Sequence, residues 1–118
     1  MQANKKYKGT IVVESLEDEN ILKGFVVVKE SVTDDIDPND RWHMYFVEAD
    51  IEQLAKLSKV IKPKGWYAHF WGDDKNIIVV FRDKIFSFHQ DDENGRREGV
   101  EYGLSIGIPK EQLDFLIV

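Results

Sequence analysis

The sequence predicts one α+β domain over 1–118, built on a single-layer mixed or mainly antiparallel sheet of about five to seven strands. One good helix over 50–61 and a short C-terminal helix over 109–117 are expected to pack on this sheet. Three observations predict the class: recurring β-branched and aromatic runs, one segment with strong helix signals, and a proline that opens a short apolar ending. The arrangement is ferredoxin-like in style, an analogy of architecture that implies no function.

Composition and charge narrow the functional classes. The 118 residues are 42% hydrophobic and 32% charged, which is typical of a folded domain and not of a disordered chain. The net charge of -6 argues against nucleic-acid binding, because it opposes the phosphate backbone. The absence of cysteine excludes disulfides, thiolate metal sites and cysteine nucleophiles, and it favours a cytoplasmic location. The longest apolar run, 77–81, is too short for a membrane-spanning helix, so we expect no membrane association.

The first half of the chain predicts three strands. Residues 1–8 are expected to form a frayed basic terminus. β-branched runs at 10–13 and 22–30 predict two strands that pair as a hairpin across a polar loop, and one or two helical turns over 16–23 are the alternative to that loop. A third strand over 41–48 follows a loop rich in aspartate. Its alternation separates two sets of side chains: Trp42, Met44 and Phe46 from His43, Tyr45 and Val47.

The helix over 50–61 has the clearest signals. Asp50 is a good N-cap residue, and Gln53 three residues later completes a capping-box pattern. Apolar residues follow at helical spacing from Ile51 to Ile61. Pro63 ends the helix, and lysines near its C-terminal end complement the helix dipole.

Three more strands are predicted beyond this helix, over 66–71, 76–81 and 84–88. The segment 76–81 is apolar on both faces, so we expect a central strand that is covered on both sides. A turn of glycine and aspartate separates the first two of these strands, and a tight turn separates the last two.

The last part of the chain gives weaker signals. Residues 89–98 are expected to form a charged, mobile loop, and 100–106 is ambiguous between a strand and an extended loop. The glycines at 99, 103 and 107 are attributed to turns or bulges. Pro109 stands at a favoured first position for the final helix over 109–117.

The fourth predicted strand carries the richest set of side chains. Alternation puts Tyr67, His69 and Trp71 on one face, as a row of rings that each have a polar group. Tyr45 and His43 would extend the row if the third and fourth strands are neighbours in suitable register. Such a face suits a small ligand or a protein interface. The alternative is that a helix covers it, because buried aromatic residues usually belong to the core.

Signals for catalysis and metal binding are weak. His69, His43 and Asp73 are the candidate acid–base residues, but none has a partner at a diagnostic spacing. The histidines lack metal-ligand spacing, and the acidic segment 35–40 departs from a calcium loop at the glycine and glutamate positions. The sequence has no phosphate-binding glycine motif. We therefore expect neither a metal nor a cofactor.

These observations favour a binding or interaction domain over an enzyme. The prediction is that an aromatic face with Tyr67, His69, Trp71 and Tyr45 takes a small ligand, a protein partner or a second copy of the chain. The alternative is a small hydrolase or isomerase in which His69 acts as the acid or base. An open aromatic face would favour binding, whereas the enzyme requires a concave pocket within reach of His69.

Overall fold

An antiparallel sheet organises the fold. The computed structural model describes residues 6–33 and 41–115, and within them the sheet has six strands. They are β1 (Tyr7–Val12), β2 (Val26–Val32), β3 (His43–Ala49), β4 (Ala68–Trp71), β5 (Asn76–Phe81) and β6 (Lys84–His89). Their order across the sheet is β2-β3-β1-β4-β5-β6, and each neighbouring pair is antiparallel. Two helices, α1 (Ile51–Leu57) and α2 (Glu93–Ser105), complete the predicted α+β class, which is confirmed.

The sheet separates two hydrophobic cores, one on each face. On the first side, Val47 and Phe70 of the sheet are buried with Leu54 and Leu57 of α1, and we call this side the α1 face. The second core joins alternate residues of β5 and β6 to the C-terminal part of the chain, and we call this side the α2 face. Residues 77–81 are all buried and contribute to both cores in alternation. The prediction of a central strand covered on both sides is therefore confirmed.

Helix α1 forms where the sequence predicts it but is shorter. The Asp50 carboxylate accepts a hydrogen bond from the Gln53 amide, and the Gln53 side chain accepts one from the Asp50 amide, each at 2.9 Å. The regular helix ends at Leu57 instead of residue 61. A turn follows, and in it the Ser58 hydroxyl donates to the Phe81 carbonyl at 2.7 Å, which ties the end of α1 to β5.

The predicted hairpin of the first two strands is wrong. β1 lies in the middle of the sheet, between β3 and β4, whereas β2 lies at the edge beside β3. The residues explain this difference, because β1 buries Tyr7 and Ile11. β2 is exposed along its whole length and carries Lys29 and Glu30, which are residue types that suit a sheet edge.

The connections also differ from the ferredoxin-like arrangement, which is not confirmed. Between β1 and β2 lie two 3₁₀ segments, Val13–Ser15 and Glu19–Gly24, so helical turns replace the predicted polar loop. The described elements run as three strands, α1, three strands and α2. β3 and β4 are parallel to each other on either side of β1, and α1 connects them. Tyr7 and Lys8, expected in a frayed terminus, belong to β1.

Helix α2 replaces the predicted charged loop and the ambiguous segment after it. The helix begins after Asp92, whose carboxylate accepts a hydrogen bond from the Gly95 amide at 3.0 Å. Its exposed positions are mostly charged or polar, and only a few apolar side chains, among them Val100 and Tyr102, reach the core. That composition hides the helical period in the sequence.

The glycines of α2 are packing positions and not turns or bulges. A methyl group at Gly99 would lie 3.2 Å from the Phe115 ring, and one at Gly103 would lie 2.6 Å from the Leu113 side chain. Gly107 does fit the expectation of a turn, because its φ is 90°. The helix predicted over 109–117 is wrong in the described residues, where only a 3₁₀ turn forms, Lys110–Gln112.

Some predictions concern residues that lie outside the part of the chain that the structure describes. The acidic segment 35–40 and most of the basic terminus, 1–5, lie outside the described residues, as do residues 116–118. Within 6–33 and 41–115, neither α-helix combines the length and the apolar character needed to cross a bilayer.

Candidate ligand-binding groove

Tyr67, His69 and Trp71 form a continuous row on the α2 face, as the alternation predicts. The centroids of the Tyr67 and His69 rings are 6.2 Å apart and their planes are 26° from parallel. The His69 and Trp71 rings follow at 5.8 Å. β4 places the row because its register sets His69 opposite Val79 and Trp71 opposite Ile77 of β5.

The row is covered unevenly along its length. Trp71 is 9% exposed and packs beside Phe46 of β3, with ring centroids 6.1 Å apart. Tyr67 and His69 are half-buried, and the Phe115 ring lies over both, at 5.5 Å and 6.1 Å. α2 itself packs on β6. The cover over Tyr67 and His69 therefore comes from residues 108–115, which we call the C-terminal strap.

Tyr45 does not belong to this row, so that expectation is wrong. β1 lies between β3 and β4, and its register pairs Ile11 with Tyr45 and Thr10 with Phe46. Tyr45 consequently packs against the core of the α1 face. On the α2 face, towards β1 and β3, the row has Lys8 opposite Trp71, Phe46 beside the Trp71 ring, and Thr10 in the same groove as His69. None of these three was predicted as a site residue.

His43 lies away from the row and pairs with a carboxylate. Its ring Nδ1 is 2.8 Å from Glu14 Oε2, and its main-chain amide donates to Glu14 Oε1 at 2.7 Å. Burial raises the pKa of Glu14, but these hydrogen bonds outweigh it, so the pKa of that carboxyl is below its ordinary value. Asp73 lies in the exposed turn after β4.

A groove of about 550 Å³ opens on the α2 face beside Tyr67 and His69. One wall is β1, the floor is the start of β4 with the residues before it, and the other wall is the C-terminal strap. The Trp42 and Trp66 rings meet at its end, with centroids 5.3 Å apart and planes at 59°. The lining residues are Thr10, Val12, Trp42, Gly65, Trp66, Tyr67, Ala68, His69, Pro109 and Gln112.

Hydrogen bonds hold the strap as a fixed wall of the groove. The Tyr67 hydroxyl donates to the Gln112 carbonyl, and just before the strap the Gly65 amide donates to the Ile106 carbonyl at 2.9 Å. Arg96 Nη1 of α2 donates to the Asp114 carbonyl at 2.7 Å. Burial, with the Asp114 carboxylate adding to it, raises the pKa of Tyr67 to about 12. Tyr67 is therefore a neutral hydrogen-bond donor at pH 7.

Comparison of the chain with protein-family models, with curated proteins and with solved structures gives no match. The proposed function of the groove therefore rests on its lining residues and their contacts. Within residues 6–33 and 41–115, no three histidine, aspartate or glutamate side chains come close enough together to hold a metal ion.

Of the predicted site residues, the groove brings together Tyr67 and His69 and leaves out Tyr45, Trp71, His43 and Asp73. It adds residues that sequence reasoning missed, chiefly Thr10, Trp42 and Gln112. For Trp42 a signal existed, because alternation places it on the same face as Phe46. For Thr10 and Gln112 there was none, since their position depends on strand order and on the path of the strap.

Proposed function

We propose that this chain binds a small apolar compound that carries a ring, in the groove between β1, β4 and the C-terminal strap. The observation that carries the proposal is a concave site of about 550 Å³ whose lining includes the rings of Trp42, Trp66, Tyr67 and His69. Sites for small molecules are concave, mostly apolar and of roughly 300–1,000 Å³, with a few polar groups that fix orientation. Thr10, His69 and Gln112 supply polar groups of that kind.

The exposed surface of two tryptophan side chains supplies the driving force for ligand binding. Trp42 is 39% exposed and Trp66 is half-buried, and both line the groove. A ligand that covers these rings removes apolar surface from water, at about 25 cal/mol for each Å². Ring contacts with the ligand add about 0.5–1.5 kcal/mol beyond the buried area.

The experiment is a fluorescence titration with the neutral dye N-phenyl-1-naphthylamine, which emits strongly when it leaves water. We expect saturable binding by the unmodified chain. Trp42→Ala removes one of the lining rings and should weaken binding by at least about tenfold, equivalent to about 1.4 kcal/mol.

Ile51→Ala is the matched control. Ile51 is an exposed apolar residue, 50% accessible, at the start of α1 on the other side of the sheet. This variant should bind the dye as the unmodified chain does. The proposal fails if the chain does not bind the dye, or if Trp42→Ala and Ile51→Ala bind it equally well.

A small hydrolase or isomerase with His69 as acid or base is the second candidate. The observation that favours it is that the groove reaches His69. His43 and Asp73 lie outside the groove, so this candidate rests on His69. The test is hydrolysis of p-nitrophenyl acetate. A rate above that of free imidazole at equal concentration, lost in His69→Gln, would support hydrolysis, and equal rates in both proteins would contradict a role of His69 in hydrolysis.

That a protein partner or a second copy of the chain binds the aromatic face remains a prediction. A second surface for such a partner is the exposed edge strand β2. Edge strands can accept a further strand through their main-chain groups, and β2 exposes Val26 and Val28 by 58% and 56%. A register shift between Val27 and Lys29, together with the charges of Lys29 and Glu30, makes this edge less suited to pairing. We therefore favour ligand binding in the groove over pairing of a partner strand at β2.

A further inference from the structure

We infer that the groove selects an uncharged, planar aromatic ring over charged or saturated compounds of the same size. This inference rests on the proposed function and names the chemical class of its ligand. It starts from the lining, in which none of the described residues is Asp, Glu, Lys or Arg. A charged ligand would lose hydration in the groove without gaining an opposite charge from these residues, and such burial is costly.

One carboxylate beside the lining acts against an anion. Asp114 is close enough to Tyr67 to contribute to the rise in its pKa, so its charge repels an anionic ligand that lies against Tyr67. Among the described lining side chains, only His69 can carry a positive charge.

The geometry of the rings favours a flat ligand. Tyr67 and His69 lie 26° from parallel along the floor, and Trp42 and Trp66 meet at 59° at the end of the groove. A planar ring can stack on one of these rings while its edge meets another, which are the two preferred arrangements of aromatic pairs. A saturated ring of the same size makes neither of these aromatic arrangements and contacts the ring faces only through its C–H groups.

The test is a calorimetric comparison of four compounds with the full chain at about pH 8, where an ordinary imidazole is neutral. The compounds are 2-naphthol, 2-naphthoate, 2-naphthylmethylammonium and decahydro-2-naphthol, which share a framework of two fused six-membered rings. We expect 2-naphthol to bind at least about tenfold more tightly than either charged compound. It should bind roughly threefold or more tightly than the saturated alcohol.

Each outcome decides one of the two proposals. If a charged compound or the saturated alcohol binds as tightly as 2-naphthol, and Trp42→Ala weakens that binding, the groove is a ligand site but the inferred ligand class is wrong. If none of the four compounds binds, or if Trp42→Ala changes none of the affinities, the proposed function itself fails.

Discussion

The ring of Tyr67 meets the ring of Phe115 edge to face, with the ring centroids 5.5 Å apart. The Tyr67 hydroxyl also donates to the carbonyl of Gln112, so one side chain beside β4 contacts the C-terminal strap twice. Phe115 is fully buried and has a φ of 48°, which shows that the backbone turns there to bring its ring onto the sheet. The wall of the groove therefore depends on core packing and not on a separate loop.

Ionisation of the Tyr67 phenol should lower the free energy of unfolding at alkaline pH. Its pKa of about 12 in the folded chain exceeds the ordinary value of 10.0, so the folded state holds the phenol proton more tightly than the unfolded state. The resulting stabilisation is fully present below about pH 10 and is lost as the pH rises to about 12. The free energy of unfolding, measured by urea titration across this window, should fall more steeply for the unmodified chain than for Tyr67→Phe.

Tyr45→Phe is the control for that measurement, because Tyr45 lies on the α1 face and the variant leaves Tyr67 in place. It should keep the slope of the unmodified chain. If Tyr67→Phe also keeps that slope, the contacts of Tyr67 with the strap do not have the assigned role.

Gly9 should tolerate no side chain. It lies on β1 opposite Phe70 of β4, and an added methyl group would overlap the His69 carbonyl and approach Phe70 Cδ2 to 2.5 Å. Because the carbonyl belongs to the backbone, β1 and β4 would have to separate. We expect Gly9→Ala to lower the free energy of unfolding by about 1–3 kcal/mol or more.

Gly24→Ala provides the comparison for Gly9→Ala, since nothing lies within 4 Å of a methyl group at that position. Urea unfolding should show a change within about 0.5 kcal/mol for this variant. Equal effects of the two substitutions would contradict the close approach of β1 and β4.

The N-cap of α1 should be measurable as a local contribution to stability. Asp50→Ala removes the carboxylate that accepts a hydrogen bond from the Gln53 amide, and we expect a loss of about 1 kcal/mol in thermal or urea unfolding. Glu52→Ala, in the same first turn, removes only an interaction with the helix dipole, worth a few tenths of a kcal/mol. A loss for Glu52→Ala as large as that for Asp50→Ala would contradict the capping-box assignment.

Local signals predicted the parts of the fold that depend on neighbouring residues. The Asp50 and Gln53 pair marked the start of α1, and the uninterrupted apolar run at 77–81 marked a doubly covered strand. α2 was missed because its contact with the core runs through Gly99 and Gly103, and a glycine pair shows no hydrophobic period. Asp92 and Glu93 were helix-start signals there, but no glutamate or glutamine stands three residues after Asp92 to complete a capping box.

The site was predictable only where it lies on one strand. Alternation along 66–71 placed Tyr67 and His69 on a common face without any knowledge of the rest of the chain. Thr10 reaches them because β1 takes the place between β3 and β4, which is a pairing between distant segments. Gln112 reaches them because the strap returns across the sheet, and that path depends on packing of Phe115.

The most direct test of the groove is the response of the tryptophan side chains to a ligand. The chain has three tryptophans, and their indole N–H signals can be followed in a proton–nitrogen correlation spectrum while 2-naphthol is added. Tryptophan-to-phenylalanine variants assign the signals. We expect the Trp42 and Trp66 signals to shift along one saturable curve, while Trp71, covered beside Phe46, shifts much less. A spectrum in which Trp42 and Trp66 stay in place, or in which Trp71 shifts most, would contradict ligand binding in the groove.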